Sequence, residues 1–182
     1  MTNKKAGGRM EATTMETGVQ AKAQVTLPND RQVKVVRSFR APRALVYRAY
    51  TEPTLMKRWL LGPPGWSMPV CEMDVRVGGK YTWRWKNDAD GKEFGFFGVF
   101  KEVDAPKRIV NSETFDPGDV GGEMGTALVT VELVESGGVT NMISVIEYPS
   151  REVRDAAMAT GMTDGMEMSY ERLDKVLTES AA

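Results

Sequence analysis

A chain of 182 residues, 41% hydrophobic and 27% charged, carries enough apolar material for one packed domain. Its formal charge of −1 gives no net attraction to nucleic acid or an anionic membrane surface, and no apolar run approaches the roughly 20 residues of a membrane span. Histidine is absent and Cys71 is the single cysteine, which removes imidazole acid–base chemistry, histidine-activated nucleophiles, histidine- or thiolate-bound metals and any internal disulfide. No metal and no cofactor is therefore expected. The N-terminus lacks the apolar core of a secretory signal, so a cytoplasmic location is expected.

Residues 1–22 are polar and without period, which predicts a flexible tail, with a single domain over 23–180. Gln24 to Leu27 suits a short edge strand, and Pro28-Asn29-Asp30 a turn. Gln32 to Phe39 alternates as a strand, with Val33, Val35, Arg37 and Phe39 on one side. Pro42 opens a helix that buries Leu45, Val46, Ala49 and Tyr50. Pro53 restarts a second short helix carrying Leu55, Met56, Trp59 and Leu60, and Gly62-Pro63-Pro64-Gly65 ends it.

Six further strands are predicted, over Met68–Asp74, Lys80–Lys86, Glu93–Val103, Lys107–Thr114, Thr126–Glu135 and Thr140–Tyr148. Short turns between them imply an antiparallel meander. A short helix over Arg151–Thr160 follows, stopped by Gly161. The last stretch, Thr163 to Thr178, is an amphipathic helix. Met162, Met166, Tyr170, Leu173, Val176 and Leu177 share one arc, with Asp164, Glu167, Glu171, Asp174 and Lys175 opposite. Asp164 and Glu167 have the spacing of a capping box. A lone long helix must bury its stripe on a sheet, so the class is α+β: a curved seven-stranded antiparallel sheet around the C-terminal helix, with two short helices after strand 1.

Several features have a structural and a functional reading. Tyr81, Trp83 and Trp85 form an aromatic row on one strand face, suited to core packing or to a cavity wall. Met158, Met162, Met166 and Met168 fill gaps or adapt to a ligand. Trp59 and Trp66 bracket the Gly62–Gly65 loop, as a portal lid or a stiff corner. Asp74 and Arg76 share one strand face, as a catalytic acid with a cation or as structure, and Asp116, Asp119 and Glu123 read as a solvated loop rather than a cation site. Cys71 reads as a buried small residue. Trp59, Trp66, Tyr81, Trp83, Trp85, Met162, Met166 and Tyr170 are the predicted ligand-cavity residues. No catalysis is assumed. Acid–base work would fall to Glu147, Glu132 or Tyr170, with Glu147 placed beside Val145 and Ile143 by alternation and tested as an inward carboxylate.

Six motifs in order carry a resemblance. They are Phe39-Arg-Ala41-Pro42 followed by Val46, Ala49, Thr51, Pro53 and Trp59; Asp74-Val-Arg76-Val-Gly78-Gly79; Asp90-Gly91; Gly98; Glu102-Val103 with Pro106; and Gly161-Met162 with Gly165 and Leu173. Together they resemble the START-like (SRPBCC), or helix-grip, superfamily. Within it they resemble small bacterial homologues of the C-terminal domain of the activator of heat-shock protein 90 ATPase. The resemblance spans about residues 24–178. The aromatic row facing the Met-rich helix makes a small, largely apolar molecule held between the last helix and the sheet the leading expectation. The resemblance implies a helix-grip fold, and it implies that Asp74-Val-Arg76-Val-Gly78-Gly79 is a structural turn rather than a catalytic pair. It also implies two alternatives: a chaperone ATPase regulator with the chaperone as partner, or a cyclase- or hydratase-like enzyme using cavity carboxylates. Relatives often carry Trp where this chain has Met166, which alters the cavity wall.

Overall fold

Alternation becomes strand, and the 3.6-residue period becomes helix, very nearly where the pattern places them. The computed structural model describes residues 19, 21–122 and 124–180. Most of the expected tail, and Glu123 of the acidic loop, lie outside these residues. In chain order the elements are β1 (Gln24–Thr26), β2 (Gln32–Phe39), α1 (Arg43–Thr51), α2 (Pro53–Trp59), β3 (Trp66–Met73) and β4 (Lys80–Asn87). There follow β5 (Glu93–Asp104), β6 (Arg108–Asp116), β7 (Thr126–Ser136), β8 (Val139–Glu147), α3 (Arg151–Ala159) and α4 (Met162–Ser180).

The strands form one antiparallel sheet of eight, in the order β1-β2-β8-β7-β6-β5-β4-β3. The count exceeds the expected seven because β1 adds itself to the edge of β2, pairing Gln24 with Val36 and Thr26 with Lys34. Strands β3 to β8 are the predicted meander. Strand β2 joins it by pairing with β8 along its whole length, from Gln32–Glu147 to Phe39–Thr140. Helices α1 and α2 carry the chain from the β2 side of the sheet to the opposite edge at β3.

Helix α4 buries Ser169, Tyr170, Leu173, Val176 and Leu177, and it packs against α1, α2 and α3. Its stripe meets Val33, Val35, Phe39 and Met142 of the sheet and Trp59 of α2 in one continuous core. Complete removal of Leu173 and Trp59 from water is worth roughly 2 kcal/mol each. The Asp74–Gly79 run is structural, as expected: Gly78 turns at φ +81°, and a Cβ on Gly79 would lie 1.9 Å from the Asp74 carbonyl oxygen. Only the first of the two glycines needs a positive φ.

The capping box is not formed. Glu167 instead accepts a hydrogen bond from the Ala23 backbone N–H (2.7 Å) and faces Arg37 of β2. Alternation puts Arg37 on the inner face with Val33 and Val35, and its guanidinium is buried. It donates to Asp174 (2.7 Å) and to the Ser38 carbonyl (2.7 Å), lies 3.7 Å from Glu167, and sits 5.2 Å from the centre of the Phe39 ring. Glu167 and Asp174 are two turns apart on α4, so the helix grips a buried cation from both sides.

The charges of this clamp are unequal in burial, and that sets an order of mutational cost. Arg37→Met leaves Asp174 open to water and Glu167 held by the Ala23 N–H with one oxygen buried, and is expected to cost about 1–2 kcal/mol. Glu167→Ala with Asp174→Ala strands a buried guanidinium and is expected to cost about 3–5 kcal/mol. Urea unfolding of the two variants checks the ranking, and the reverse order would show that Arg37 is well hydrated.

Candidate functional site

Three neighbouring strands build the polar end of the site. On β4, Tyr81 points inward opposite Gly98 of β5. With no side chain at Gly98, the Tyr81 ring crosses that strand, and its hydroxyl reaches β6. There it donates to the Ser112 carbonyl (2.9 Å), accepts from Asn111 Nδ2 (2.9 Å) and stands 3.5 Å from Glu113 Oε2. Strand β6 turns Ile109, Asn111 and Glu113 to the same interior space.

That space is a cavity of about 140 Å³ beneath α4. Helices α1 and α2 contribute Tyr50, Met56 and Trp59; the sheet contributes Trp83, Phe100, Val129, Val131 and Ile146; and α4 contributes Met166, Ser169 and Tyr170. The wall is mainly apolar, and among the described residues Glu113 is the one acidic residue lining it. Helix α4 presents Met166 and Tyr170 together because they are one turn apart.

Of the predicted cavity residues, Trp59, Trp83, Met166 and Tyr170 line the space. The other four are packed behind or beside it. Tyr81 backs Trp83, ring centres 4.4 Å apart. Trp85 donates its indole N–H to the Leu60 carbonyl (2.8 Å) and stacks on Phe94 at 5.3 Å. Trp66 meets Phe94 edge-on at 5.1 Å, and Met162 Sδ accepts from the Tyr148 hydroxyl at 3.3 Å. The aromatic row is thus core at both ends and cavity wall at Trp83. The Trp59–Trp66 loop is fastened rather than free at its ends, since Trp59 donates to the Ala49 carbonyl at 2.9 Å.

Glu147 does not face the cavity. Strand β8 turns Thr140, Met142, Ser144 and Ile146 inward, so Glu147 shares the outer face with Ile143 and Val145. There it accepts from Arg31 (2.7 Å) and Gln32 (2.9 Å). Glu132 is likewise on the outer face of β7 and pairs with Arg108. Apolar residues on both faces of β8 made its inward phase ambiguous, and the cross-strand partners decided it.

The inward carboxyl is Glu113. Its phase was readable from Ile109 two steps of alternation earlier, but the adjacent Val110 is as apolar as Ile109 and blurred it. Loss of water around the carboxyl pushes its pKa up to about 7, a rise that the Tyr81 hydroxyl only partly offsets. Burial also raises the Tyr148 hydroxyl to about 12, with the Glu113 charge adding to it. Burial raises Tyr50 and Tyr170 as well, leaving both neutral near pH 7. The Trp83 indole N–H is buried without a hydrogen-bond partner. Cys71, away from this cavity, is pushed up to about 11 by burial, so it stays a thiol.

Among the described residues no group of three or more His, Cys, Asp or Glu side chains is arranged to hold a metal ion, and no helix is long and apolar enough to cross a membrane. Asp116 of the acidic loop is engaged by Arg84 at 2.6 Å.

A grip of this kind, sheet and terminal helix around a small cavity, has relatives. The model of the family described as Activator of Hsp90 ATPase homolog 1-like protein matches residues 40–178. The chain belongs to this family. The match begins at Arg40, inside the Phe39–Pro42 motif, and ends within α4, so it takes in the cavity lining. No curated protein matches the chain. Among solved structures, a protein from Rhodobacter sphaeroides is 28% identical, covering 87% of this chain and 99% of its own, with a TM-score of 0.80. One from Chromobacterium violaceum is 27% identical over 82% of this chain and 98% of its own (TM-score 0.68). One from Arthrobacter aurescens is 25% identical over 86% and 91% (TM-score 0.74). The family thus shares the helix-grip fold, a START-like architecture of ligand-binding or regulator type.

Proposed function

We propose that this protein binds a small, largely apolar molecule of about the size of one ring in the cavity between α4 and the sheet. The observation that carries the reading is the cavity itself: about 140 Å³ walled chiefly by aromatic, Met and aliphatic side chains. An apolar cavity of roughly 150 Å³ takes up benzene, whereas pockets for drug-sized ligands run from roughly 300 Å³ upward. Size therefore excludes a sterol or a long lipid without expansion, and favours a ligand of about six to eight heavy atoms.

The bulk at position 166 provides the test. A tryptophan there would fill much of the space that Met166 leaves. Met166→Trp is expected to abolish uptake of benzene-sized probes, seen as loss of chemical-shift changes in NMR titrations, while the protein stays folded. Failure of the wild-type protein to take up any ring-sized probe would overturn the proposal.

The family's description supports a second reading, a regulator of a chaperone ATPase. An ATPase assay with the heat-shock protein 90 of the same organism tests it, and an unchanged rate rejects it. An enzymatic reading now rests on Glu113 in place of Glu147, since Glu113 is the carboxyl that meets the cavity.

A further inference from the structure

Two polar groups of the cavity lining flank Tyr81, the Trp83 ring 4.4 Å from its ring and the Glu113 carboxyl 3.5 Å from its hydroxyl, and they differ in kind. Trp83 Nε1 is a donor, buried and unpartnered. Glu113 holds a carboxyl in the same lining, and among the described residues its side-chain hydrogen bonding is limited to the Tyr81 hydroxyl at 3.5 Å. That hydroxyl is already committed to the Ser112 carbonyl at 2.9 Å. The Asn111 amide N–H is likewise spent on Tyr81 and the Ser112 carbonyl, and the Ser169 hydroxyl on the Gly165 carbonyl (3.0 Å). The other polar atoms of the wall are the hydroxyls of Ser144 and of Tyr50 and Tyr170, which interact with each other, and the rest is apolar. A buried donor left unmade costs about 1–3 kcal/mol, so the pair marks where a ligand's polar group belongs.

We propose that this end of the cavity is a hydroxyl-recognition subsite, whose ligand is a small cyclic alcohol that donates its O–H to Glu113 and accepts from the Trp83 indole N–H. The inference rests on the reading of the cavity as a ligand site. A hydroxyl both donates and accepts, and so satisfies the two groups at once. It does so with Glu113 ionised or neutral, because a carboxylic acid still offers an acceptor oxygen. An ammonium group would satisfy Glu113 but present positive charge and further donors to the indole N–H. A carboxylate would satisfy the indole and meet the Glu113 charge. A plain hydrocarbon leaves both groups bare.

Three molecules of six non-hydrogen atoms separate these cases: cyclopentanol, methylcyclopentane and cyclopentylamine, titrated by NMR at pH 8. In a site without polar partners the alcohol binds more weakly than the hydrocarbon, because it sheds water for nothing. In the wild-type protein cyclopentanol is expected to bind at least about tenfold tighter than methylcyclopentane. Trp83→Phe, which keeps a ring and removes the N–H, should erase that preference while methylcyclopentane still binds. Glu113→Leu should do the same, and it serves if the Trp83 variant is unstable. Equal binding of alcohol and hydrocarbon to the wild type, or tightest binding of the ammonium, would overturn the subsite. Uptake of none of the three would instead overturn the reading of the cavity as a ligand site.

Discussion

Gly98→Ala is expected to be among the most damaging single-methyl additions in the chain. A Cβ at that position would stand 1.8 Å from the Ser112 carbonyl oxygen and 2.8 Å from the Tyr81 ring. The ring edge could swing away, but the carbonyl belongs to β6 and is tied by the Tyr81 hydroxyl. Relief therefore requires that β5 and β6 separate, or that Tyr81 leave its place across Gly98. Either route breaks the hydrogen bonds of Tyr81 with Ser112 and Asn111 and opens the polar end of the cavity. Overpacking of a core usually costs about 1–3 kcal/mol, and here the obstacle is backbone. A loss of more than about 3 kcal/mol is expected in urea unfolding, together with loss of ligand uptake. The companion Tyr81→Phe keeps the ring over Gly98 and removes only the hydroxyl, and should cost about 1–2 kcal/mol. A mild Gly98→Ala would mean that the strands at this point are far looser than their register implies.

Glu113→Gln is expected to stabilise the protein above pH 7 and to leave it little changed, by comparison, below pH 5. The carboxyl has a pKa of about 7 when folded, raised by burial from its ordinary value of 4.5. Below the lower value it is neutral whether the chain is folded or not, and folding carries no electrostatic penalty. Between the two values the unfolded chain releases a proton that the folded chain retains, so stability falls as pH rises. At 1.36 kcal/mol per unit of pH, the gap corresponds to about 3 kcal/mol, fully felt above the folded pKa. Glutamine is neutral throughout and escapes this term. The measurement is the difference in unfolding free energy between variant and wild type at pH 5 and at pH 8, in which the titration of other groups cancels. A difference that does not change with pH would show that water reaches the carboxyl freely.

Those two residues illustrate how unevenly the site was legible. The aromatic alternation of Lys80–Lys86 placed Tyr81, Trp83 and Trp85 on the inner face, because a strand with polar or charged residues at every other position has one face it can bury. The stripe of α4 placed Met166 and Tyr170 on the side that faces the sheet, for the corresponding helical reason. Glu113 was hidden because Ile109 and Val110 offer two phases for β6, and a slip of one residue exchanges the faces. Glu147 was misplaced for the same reason on β8, where Ile143 and Val145 look as core-like as Met142 and Ile146. The clamp on Arg37 joins β2 to α4 across more than 130 positions of sequence, and no local pattern encodes such a pairing.

By itself the sequence determined the elements, their order and the faces of those with a single apolar side, because burial is written into a period of two or of 3.6 residues. The absence of histidine and the single cysteine also narrowed the chemistry before any fold was known. Only the tertiary structure decided which carboxyl enters the interior, how large the cavity is and which indole N–H lacks a partner. A cavity is the space left when elements distant in sequence pack together. Its volume and its polar vacancies are set by three-dimensional fit, to which local periodicity is blind.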